Sequence, residues 1–180
     1  MDRHLCGTHF ISDVEQRVAD IITTQKMITP QDRVAVALSG GKDSTALLLL
    51  LSRLHPRWQD VRLVALTIDE GIAGYREDTM RSAEQLTRRL GIEHHCISFT
   101  GLFGNSLDTV LKGRESQACS ICGILRKKAL IVGAGQVCAT KLATGHNLDD
   151  EAQSVLMNVF RGDMPRLIRN SSVDSSGKFI

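Results

Sequence analysis

The feature that most constrains the fold of this chain is an apolar segment, residues 34–38, that is followed by a glycine pair and then by a leucine run, residues 47–51. Apolar and β-branched residues before the turn are typical of a strand covered on both faces. Gly40 and Gly41 permit backbone angles that a side chain would forbid. The amides at the start of the following helix, at the positive end of its dipole, form a site for an anion such as phosphate. A strand, a phosphate-binding turn and a helix are therefore predicted in this order.

The turn, residues 39–44, reads Ser-Gly-Gly-Lys-Asp-Ser and differs from the Walker A loop. Val36 stands where the Walker loop has its first glycine, and Asp43 follows Lys42 where that loop has Ser or Thr. The turn instead resembles the PP-loop of the N-type ATP pyrophosphatases, which split ATP between the α and β phosphates and adenylate a substrate. An ordinary strand-to-helix connection is the alternative interpretation.

Composition limits the class of protein. The 180 residues suffice for one domain with a hydrophobic core, and the longest apolar run, residues 46–51, is too short to span a bilayer. Residues 1–10 lack the apolar stretch of a signal peptide, so we expect a soluble cytoplasmic protein without a membrane partner. Five cysteines with one close pair favour thiol or metal chemistry over a disulfide framework.

The formal net charge of +2 does not by itself indicate a nucleic-acid-binding protein. Basic residues are nevertheless clustered around the cysteine pair and in the C-terminal segment: Lys112, Arg114, Arg126, Lys127, Lys128, Arg161, Arg166 and Arg169. Each could belong to a solvated helix face, and together they could contact an RNA backbone.

Near the N-terminus, Cys6 and His9 have the Cys-x-x-His spacing of two zinc ligands. A structural zinc site has four ligands and no Cys-x-x-Cys precedes this pair, so an isolated cysteine and histidine are the alternative. Ser12 is predicted to be the N-cap of the amphipathic helix that follows.

Three further segments, residues 62–68, 93–99 and 141–144, are predicted to be strands. The segments between and after them are predicted to form helices at residues 75–90, 107–112 and 152–160 and a loop at residues 100–106. Strands that alternate with helices indicate an α/β fold, a doubly wound parallel sheet with helices on both faces.

Ligands of open α/β sheets bind at the carboxyl ends of the strands. Residues 67–71, at the end of the second strand, are therefore candidates to contact a nucleotide, with the backbone of Ile68 facing an adenine. A plain strand-to-helix turn is the alternative. In the third strand His94, His95 and Cys96 alternate between the two faces, so they are interpreted as structural residues.

The fourth strand ends at Gly145, and three acidic residues, Asp149, Asp150 and Glu151, follow at the start of a helix. Gly145 allows a close backbone approach. The acids can be simple partners of the helix dipole. Facing the phosphate loop across the sheet, they could also hold Mg²⁺ or orient a substrate.

Cys119 and Cys122 form a Cys-x-x-Cys pair at or near a helix N-terminus. The helix dipole and the nearby cations favour the thiolate form, and the pair can share a metal ion or cluster. A thioredoxin-like redox pair would directly follow the first strand of its fold, whereas this pair follows three strand-helix units. Buried inert cysteines are the other alternative.

Four segments together resemble the PP-loop tRNA thiolation enzymes, most closely the tRNA 2-thiouridine synthetases of the archaeal, thermophile and eukaryotic cytosolic group. They are residues 5–10, 39–44, 119–123 and 143–151. The resemblance implies a Rossmann-like fold of the adenine nucleotide alpha hydrolase (HUP) type. It also implies an ATP-dependent tRNA sulfurtransferase that forms 2-thiouridine.

The resemblance further implies how the chain is divided. Residues 1–11 would be the remnant of an N-terminal zinc knuckle that includes Cys6 and His9, and residues 12–180 an incomplete ATP-binding catalytic domain. In the family, a third cysteine after the acidic segment joins the pair matched by Cys119 and Cys122 to hold a [4Fe-4S] cluster or to supply catalytic thiols. Cys138 precedes that segment and does not match. The chain is therefore interpreted as trimmed at both ends, and its activity alone is left open.

In the implied mechanism, the phosphate loop and Mg²⁺ position ATP, the uridine C2 oxygen attacks the α-phosphorus, and sulfur held at the cysteine pair then displaces AMP. The residues implied to bind the nucleotide are Ala37, Leu38, Ser39, Gly40, Gly41, Lys42, Asp43, Ser44, Ile68 and Gly145. The residues implied in catalysis are Cys119, Cys122, Asp150 as the essential carboxylate, Asp149, and Arg126, which would stabilise phosphate or developing charge. The implied partners are tRNA, a sulfur donor (sulfide, a persulfide or a ubiquitin-like carrier protein) and a second copy of the chain in a homodimer.

Two classes of related enzyme and one non-enzyme remain as alternatives. A 2-thiocytidine tRNA synthetase shares the phosphate loop and the cysteine pair but typically has a second Cys-x-x-Cys after the acidic segment, and residues 5–10 disfavour it. The cysteine pair disfavours the amidating NAD and GMP synthetases. A non-catalytic domain that binds ATP or tRNA is disfavoured by the intact residues 39–44 and 149–150.

Overall fold

The computed structural model of the chain describes residues 4–72, 74 and 77–164. Within this part, four strands form the centre: β1 Arg33–Ala37, β2 Arg62–Asp69, β3 Glu93–Ser98 and β4 Lys141–Ala143. The α-helices of the same part are α1 Gly7–Thr24, α2 Lys42–Leu54, α3 Glu77–Leu90, α4 Phe99–Phe103, α5 Leu107–Leu111, α6 Ala118–Gln136 and α7 Leu148–Arg161. None of these helices is both long and apolar enough to cross a membrane.

The strands form one parallel sheet in the order β3-β2-β1-β4. From β1 the chain builds outward through β2 to β3, and β4 then returns to the other side of β1. The strand order therefore reverses beside β1, and the carboxyl ends of β1 and β4 flank the crevice in which ligands bind in such sheets. The predicted parallel α/β sheet is confirmed.

Side chains of successive strand residues point to opposite faces of the sheet. Val34 and Val36 of β1 pack in a buried cluster with residues of α1, α2 and α3. Ala35, between them, packs in a second cluster with Ala134 of α6. All three β1 residues are fully buried, which explains why β1 is a continuous apolar run. Helices therefore cover both faces, as predicted.

The first helix begins earlier than predicted. The amide of Phe10 donates to the carbonyl of Cys6 at 2.9 Å, and α1 starts at Gly7 rather than after Ser12. The prediction of Ser12 as the N-cap is wrong because no residue between Gly7 and Ser12 interrupts a helix, so the turn upstream of Ser12 continues it. Cys6 and His9 consequently lie at the N-terminal end of α1.

The loop predicted at residues 100–106 is partly helical. Residues 99–103 form α4, whose N-cap, Ser98, accepts a hydrogen bond from the amide of Gly101 at 3.0 Å. Phe99 and Phe103, four residues apart, meet edge to face with their ring centroids 5.3 Å apart. The glycines suggested a loop, but the serine cap and the buried Phe99 stabilise one helical turn.

The other predicted elements agree with the structure to within a few residues. Helix α3 is described from Glu77, two residues after the predicted start at Tyr75, which lies outside the described residues. Helix α7 begins at Leu148, so the three acidic residues lie in its first turn. Residues 165–180, which include Arg166 and Arg169, also lie outside the described part.

Candidate functional site

The phosphate loop leaves β1 at Ala37, passes through the buried Leu38 and enters α2 at Lys42. Gly40 has a φ of +80°, and a Cβ there would lie 2.6 Å from the carbonyl oxygen of Thr79 in α3. Only glycine fits this position. The predicted strand, glycine turn and helix are therefore confirmed.

Two serines brace the loop. The amide of Ser39 donates to Oγ of Ser44 at 3.2 Å, and Oγ of Ser44 donates to the carbonyl of Gly41 at 3.1 Å. Since the hydroxyl proton of Ser44 is used in this way, the 3.0 Å contact between the two hydroxyls has Ser39 as its donor. The first amides of α2, including those of Lys42 and Asp43, have no carbonyl partner within the helix. A rigid turn therefore presents a helix N-terminus to an anion.

Gly145 follows β4 and lies against the first turn of α2. A Cβ at this position would be 3.0 Å from the amide nitrogen and 3.1 Å from Cα of Ser44. The close backbone approach predicted for Gly145 therefore exists, and its neighbour is the helix that begins at the phosphate loop. The strand ends of β1 and β4 meet at the crevice where the strand order reverses.

A second contact fixes the loop from the side of β2. The hydroxyl of Thr67 donates to the carbonyl of Leu38 at 2.8 Å, so Nε2 of His94, 2.8 Å from the same hydroxyl, must be the donor in their contact. Burial lowers the pKa of His94, which favours its neutral form. His95 points to the other face and lies 2.7 Å from Glu93. His94 thus supports the phosphate loop through Thr67.

The cysteine pair lies at the start of α6, as predicted. Cys119 is exposed, and Cys122 is half-buried against the cluster that contains Phe99. Residues three apart on a helix lie on the same face. All five cysteines of the chain are free thiols in the structure.

The donor sets fit part of each predicted metal centre. Cys119 and Cys122 suit two thiolate ligands of an iron-sulfur cluster, and Cys6 and His9, with Sγ and Nδ1 3.1 Å apart, suit two zinc ligands. In the part of the chain that the structure describes, neither pair is joined by a third histidine, cysteine or acidic side chain.

Arg126 joins Cys122 to the carboxyl end of β2. Its Nε donates to Oε1 of Glu70 at 2.8 Å, and a second guanidinium nitrogen lies 3.5 Å from Sγ of Cys122. Arg126 and Glu70 also line a cavity of about 50 Å³ together with Ala37, Leu38, Ser39, Leu66, Ile68 and Leu130. Ile68 and Ser39, both predicted to contact the nucleotide, therefore lie on one cavity with Arg126.

Sequence reasoning missed Glu70 as an individual site residue. It fell within the candidate range 67–71, and the available signal was an acidic residue at the carboxyl end of an apolar strand. Its partner could not be read from the sequence, because Arg126 is 56 positions further along the chain.

The acidic residues after β4 have mainly local contacts. The side chain of Asn147 accepts hydrogen bonds from the amides of Asp149 and Asp150 at 2.9 and 3.1 Å. The carboxylate of Asp150 accepts one from the amide of Asn147 at 3.0 Å, which completes a capping box. Both aspartates are exposed. The carboxylate of Asp150 takes part in the cap of α7, whereas Asp149 is open to solvent.

The basic residues near the cysteines are exposed. Lys112 and Arg114 precede α6, and Lys127 and Lys128 follow Arg126 within it. Lys128 places its Nζ 5.8 Å from the ring centroid of Phe103. These four positively charged side chains lie close to the cysteine pair along the chain.

The chain is similar to proteins named for tRNA thiolation. It is 38% identical over 172 residues to cytoplasmic tRNA 2-thiolation protein 1 of Aspergillus niger. The matched region covers 94% of this chain and 50% of that protein. It is 41% identical over 176 residues to the tRNA 2-thiolation protein NcsA of Haloferax volcanii. The matched region covers 93% of this chain and 54% of that protein. The chain therefore spans about half the length of these relatives.

One solved structure is similar in sequence and fold, and a second is similar in fold. The U34-tRNA thiolase NcsA of Methanococcus maripaludis, determined with its [4Fe-4S] cluster, superposes with a TM-score of 0.82 at 34% identity, over 91% of this chain and 55% of that one. The NH3-dependent NAD synthetase of Campylobacter jejuni has a TM-score of 0.57 at 19% identity, over 80% of this chain and 59% of that one, and shares the fold alone.

The sequence also matches a family defined by its phosphate loop. The PP-loop domain matches residues 10–177, nearly the whole chain. This range contains the braced turn after β1, the cysteine pair of α6 and the acidic segment after β4. The chain therefore belongs to the PP-loop domain family.

Proposed function

We propose that this chain is the PP-loop part of an ATP-dependent tRNA sulfurtransferase that forms 2-thiouridine. The observation that carries the proposal is the cavity at the carboxyl edge of the sheet, which is lined by Ser39 of the phosphate loop and by Arg126 beside Cys122. If the phosphate loop activates the substrate and the cysteine pair delivers sulfur, the two sites would be neighbours. The names of the relatives, which are tRNA 2-thiolation proteins, support this assignment.

The phosphate loop would carry the activation step. Amides of the first turn of α2, with Lys42, would bind the phosphates of ATP, and Mg²⁺ held with the help of Asp149 and Asp150 would offset the charge of pyrophosphate. The uridine C2 oxygen attacks the α-phosphorus, the bond to the bridging oxygen breaks, and pyrophosphate leaves. The product is an adenylate, in which the C2 oxygen has become part of a good leaving group.

The cysteine pair would carry the transfer step. Sulfide held at Cys119 and Cys122 attacks C2 of the adenylate, the bond from C2 to its oxygen breaks, and AMP leaves with that oxygen. Arg126 would stabilise negative charge that develops on the departing phosphate. The same two cysteines would supply thiolate ligands to a [4Fe-4S] cluster, which when bound supplies a thiophilic site for sulfide.

Partners and further metal sites follow from the same proposal. The exposed basic residues Lys112, Arg114, Lys127 and Lys128 would contact the tRNA backbone. Cys6 and His9 would be two ligands of a zinc site. A sulfide, persulfide or ubiquitin-like carrier would donate sulfur, and the protein would act in the cytoplasm as a homodimer.

The test is thiolation of tRNA by the intact product of the gene. The protein is reconstituted anaerobically with iron and sulfide and then incubated with ATP, Mg²⁺ and unmodified tRNA, and the nucleosides are analysed by mass spectrometry. We expect 2-thiouridine that requires ATP and is absent with the Ser39→Ala, Asp43→Ala double variant. Thiolated cytidine would support the 2-thiocytidine synthetase instead, and no thiolated base despite tight ATP binding would support a non-catalytic domain.

A further inference from the structure

Glu70 is a charged residue in a fully buried position. It follows β2 directly, its side chain is 0% exposed, and its carbonyl accepts a hydrogen bond from the amide of Leu107 at 2.8 Å. A carboxylate removed from water requires a cation or several hydrogen bonds to remain charged. The guanidinium of Arg126 supplies one such contact, from its Nε to Oε1 of Glu70 at 2.8 Å. The pair joins the end of β2 to the helix that carries the cysteines.

Arg126 has two environments. Its Nε is directed at the buried carboxylate, yet 45% of its side chain is exposed. The guanidinium is planar and its donors are rigidly arranged, so one fixed N–H sets the direction of the others. One of these donors, Nη2, lies 3.5 Å from Sγ of Cys122, and Arg126 also lines the cavity shared with Ser39. The buried end anchors the group, and the exposed end is available for chemistry.

We propose that Glu70 is a positioning residue that holds the guanidinium of Arg126 between the phosphate loop and Cys122. Glu70 also lines this cavity, but its side chain is 0% exposed, so in this proposal it acts through Arg126. The catalytic consequence rests on the proposed function, because it assumes that phosphate and sulfur meet at this cavity. Without Glu70, the long side chain of Arg126 would sample other rotamers and leave this position for much of the time.

The first experiment measures positioning in the chain itself. Arginine Nε–H signals are recorded by ¹⁵N NMR, and the signal of Arg126 is identified by its absence in Arg126→Lys. We expect a slowly exchanging signal with a nuclear Overhauser effect to the β-protons of Cys122. In Glu70→Gln, exchange of the Arg126 Nε proton with water should accelerate by about tenfold or more, as expected for loss of a charge-assisted hydrogen bond. The nuclear Overhauser effect to Cys122 should disappear.

The matched control is another ion pair between two elements. Arg53 and Glu15 are 2.7 Å apart and join α2 to α1, away from the cysteines. Glu15→Gln should leave the Arg126 signal unchanged. If Glu70→Gln fails to fold, Glu70→Asp, which retains the charge but withdraws it by one methylene, should also abolish the contact to Cys122. An Arg126 signal unaltered in a folded Glu70 variant would overturn the proposal.

The second experiment uses the intact gene product. Glu70→Gln should leave ATP affinity unchanged and lower kcat for thiolation by about tenfold or more. The double variant Glu70→Gln, Arg126→Lys should be no slower than Arg126→Lys alone, because Glu70 acts only through Arg126. Weaker ATP binding in Glu70→Gln, or multiplicative losses in the double variant, would contradict the proposal. Absence of thiolation by the unaltered protein would refute the proposed function, whereas the NMR result would still decide the positioning.

Discussion

Replacing Gly145 by alanine tests whether the junction of β4 and α2 sets the shape of the phosphate site. The added methyl group would lie 3.0 Å from the amide nitrogen of Ser44, 3.1 Å from its Cα and 3.1 Å from the carbonyl carbon of Asp43. All three are backbone atoms in the first turn of a helix. They cannot rotate away as the end of a side chain could, so the two segments must separate.

The magnitude follows from these contacts. Ordinary van der Waals contacts of a Cβ begin near 3.4 Å, so the backbones must move apart by a few tenths of an ångström. Overpacking of this kind costs about 1–3 kcal/mol. For a chain of this size each kcal/mol lowers Tm by about 2–4 °C. Since the displaced backbone belongs to the helix turn that would bind the phosphates in the proposed site, we also expect ATP affinity to fall about tenfold, which is about 1.4 kcal/mol.

The assay compares urea unfolding and calorimetric ATP binding for the unaltered chain, Gly145→Ala and Gly135→Ala. Gly135 is the control because a Cβ there meets nothing within 4 Å and the residue lies in α6, where alanine favours the helix. We expect Gly135→Ala to leave ATP binding unchanged and to stabilise the chain slightly. A Gly145→Ala variant with unaltered stability and ATP affinity would refute the reasoning.

Three further outcomes are expected. Gly40→Ala should destabilise the chain by about 1–3 kcal/mol in urea unfolding, because its φ is +80° and the carbonyl of Thr79 would be 2.6 Å from the new Cβ; a loss no greater than that of Gly41→Ala would contradict this. Burial raises the pKa of Asp32, but hydrogen bonds from two threonines outweigh it and hold the pKa below its ordinary value of 3.8. The charged carboxylate therefore stabilises the fold above pH 3.8, and this stabilisation is lost as the pH falls below that value. The difference in unfolding free energy between the unaltered chain and Asp32→Asn should therefore shrink in acid. A difference that does not change with pH would be inconsistent with the lowered pKa. Asp150→Asn should keep the Tm within a few degrees, because the amide oxygen can still accept the capping hydrogen bond, while Mg²⁺-dependent ATP cleavage falls; unchanged cleavage would leave Asp150 with only its capping role.

The sequence predicted the parts of the fold that depend on local patterns. Residues 34–44 predicted β1, the turn and the start of α2, because an apolar strand, two glycines and a helix occur together. The spacing of Cys119 and Cys122 likewise placed both thiols at the start of α6. The apolar residues of β1 and β2 predicted the two central strands, because the middle of each strand is buried on both faces.

The features of the fold and of the site that depend on contacts between residues far apart in the sequence were not predictable. No local pattern shows that Glu70 is buried or that it pairs with Arg126, because the two residues meet only when α6 packs beside the end of β2. The turn of α4 was missed because glycines indicate a loop, while the packing of Phe99 against the core decides the outcome. The start of α1 was placed late because Ser12, a suitable cap, lies inside a helix that nothing interrupts.

The most direct test of the central claim, that the phosphate loop activates tRNA by adenylation, is the fate of ATP labelled at the α-phosphate. The intact gene product is incubated with tRNA, Mg²⁺ and this ATP, and the labelled products are separated. Labelled AMP together with pyrophosphate, formed only with tRNA and lost in the Ser39→Ala, Asp43→Ala variant, is the predicted result. Labelled ADP with inorganic phosphate, or cleavage that is independent of tRNA, would contradict the claim.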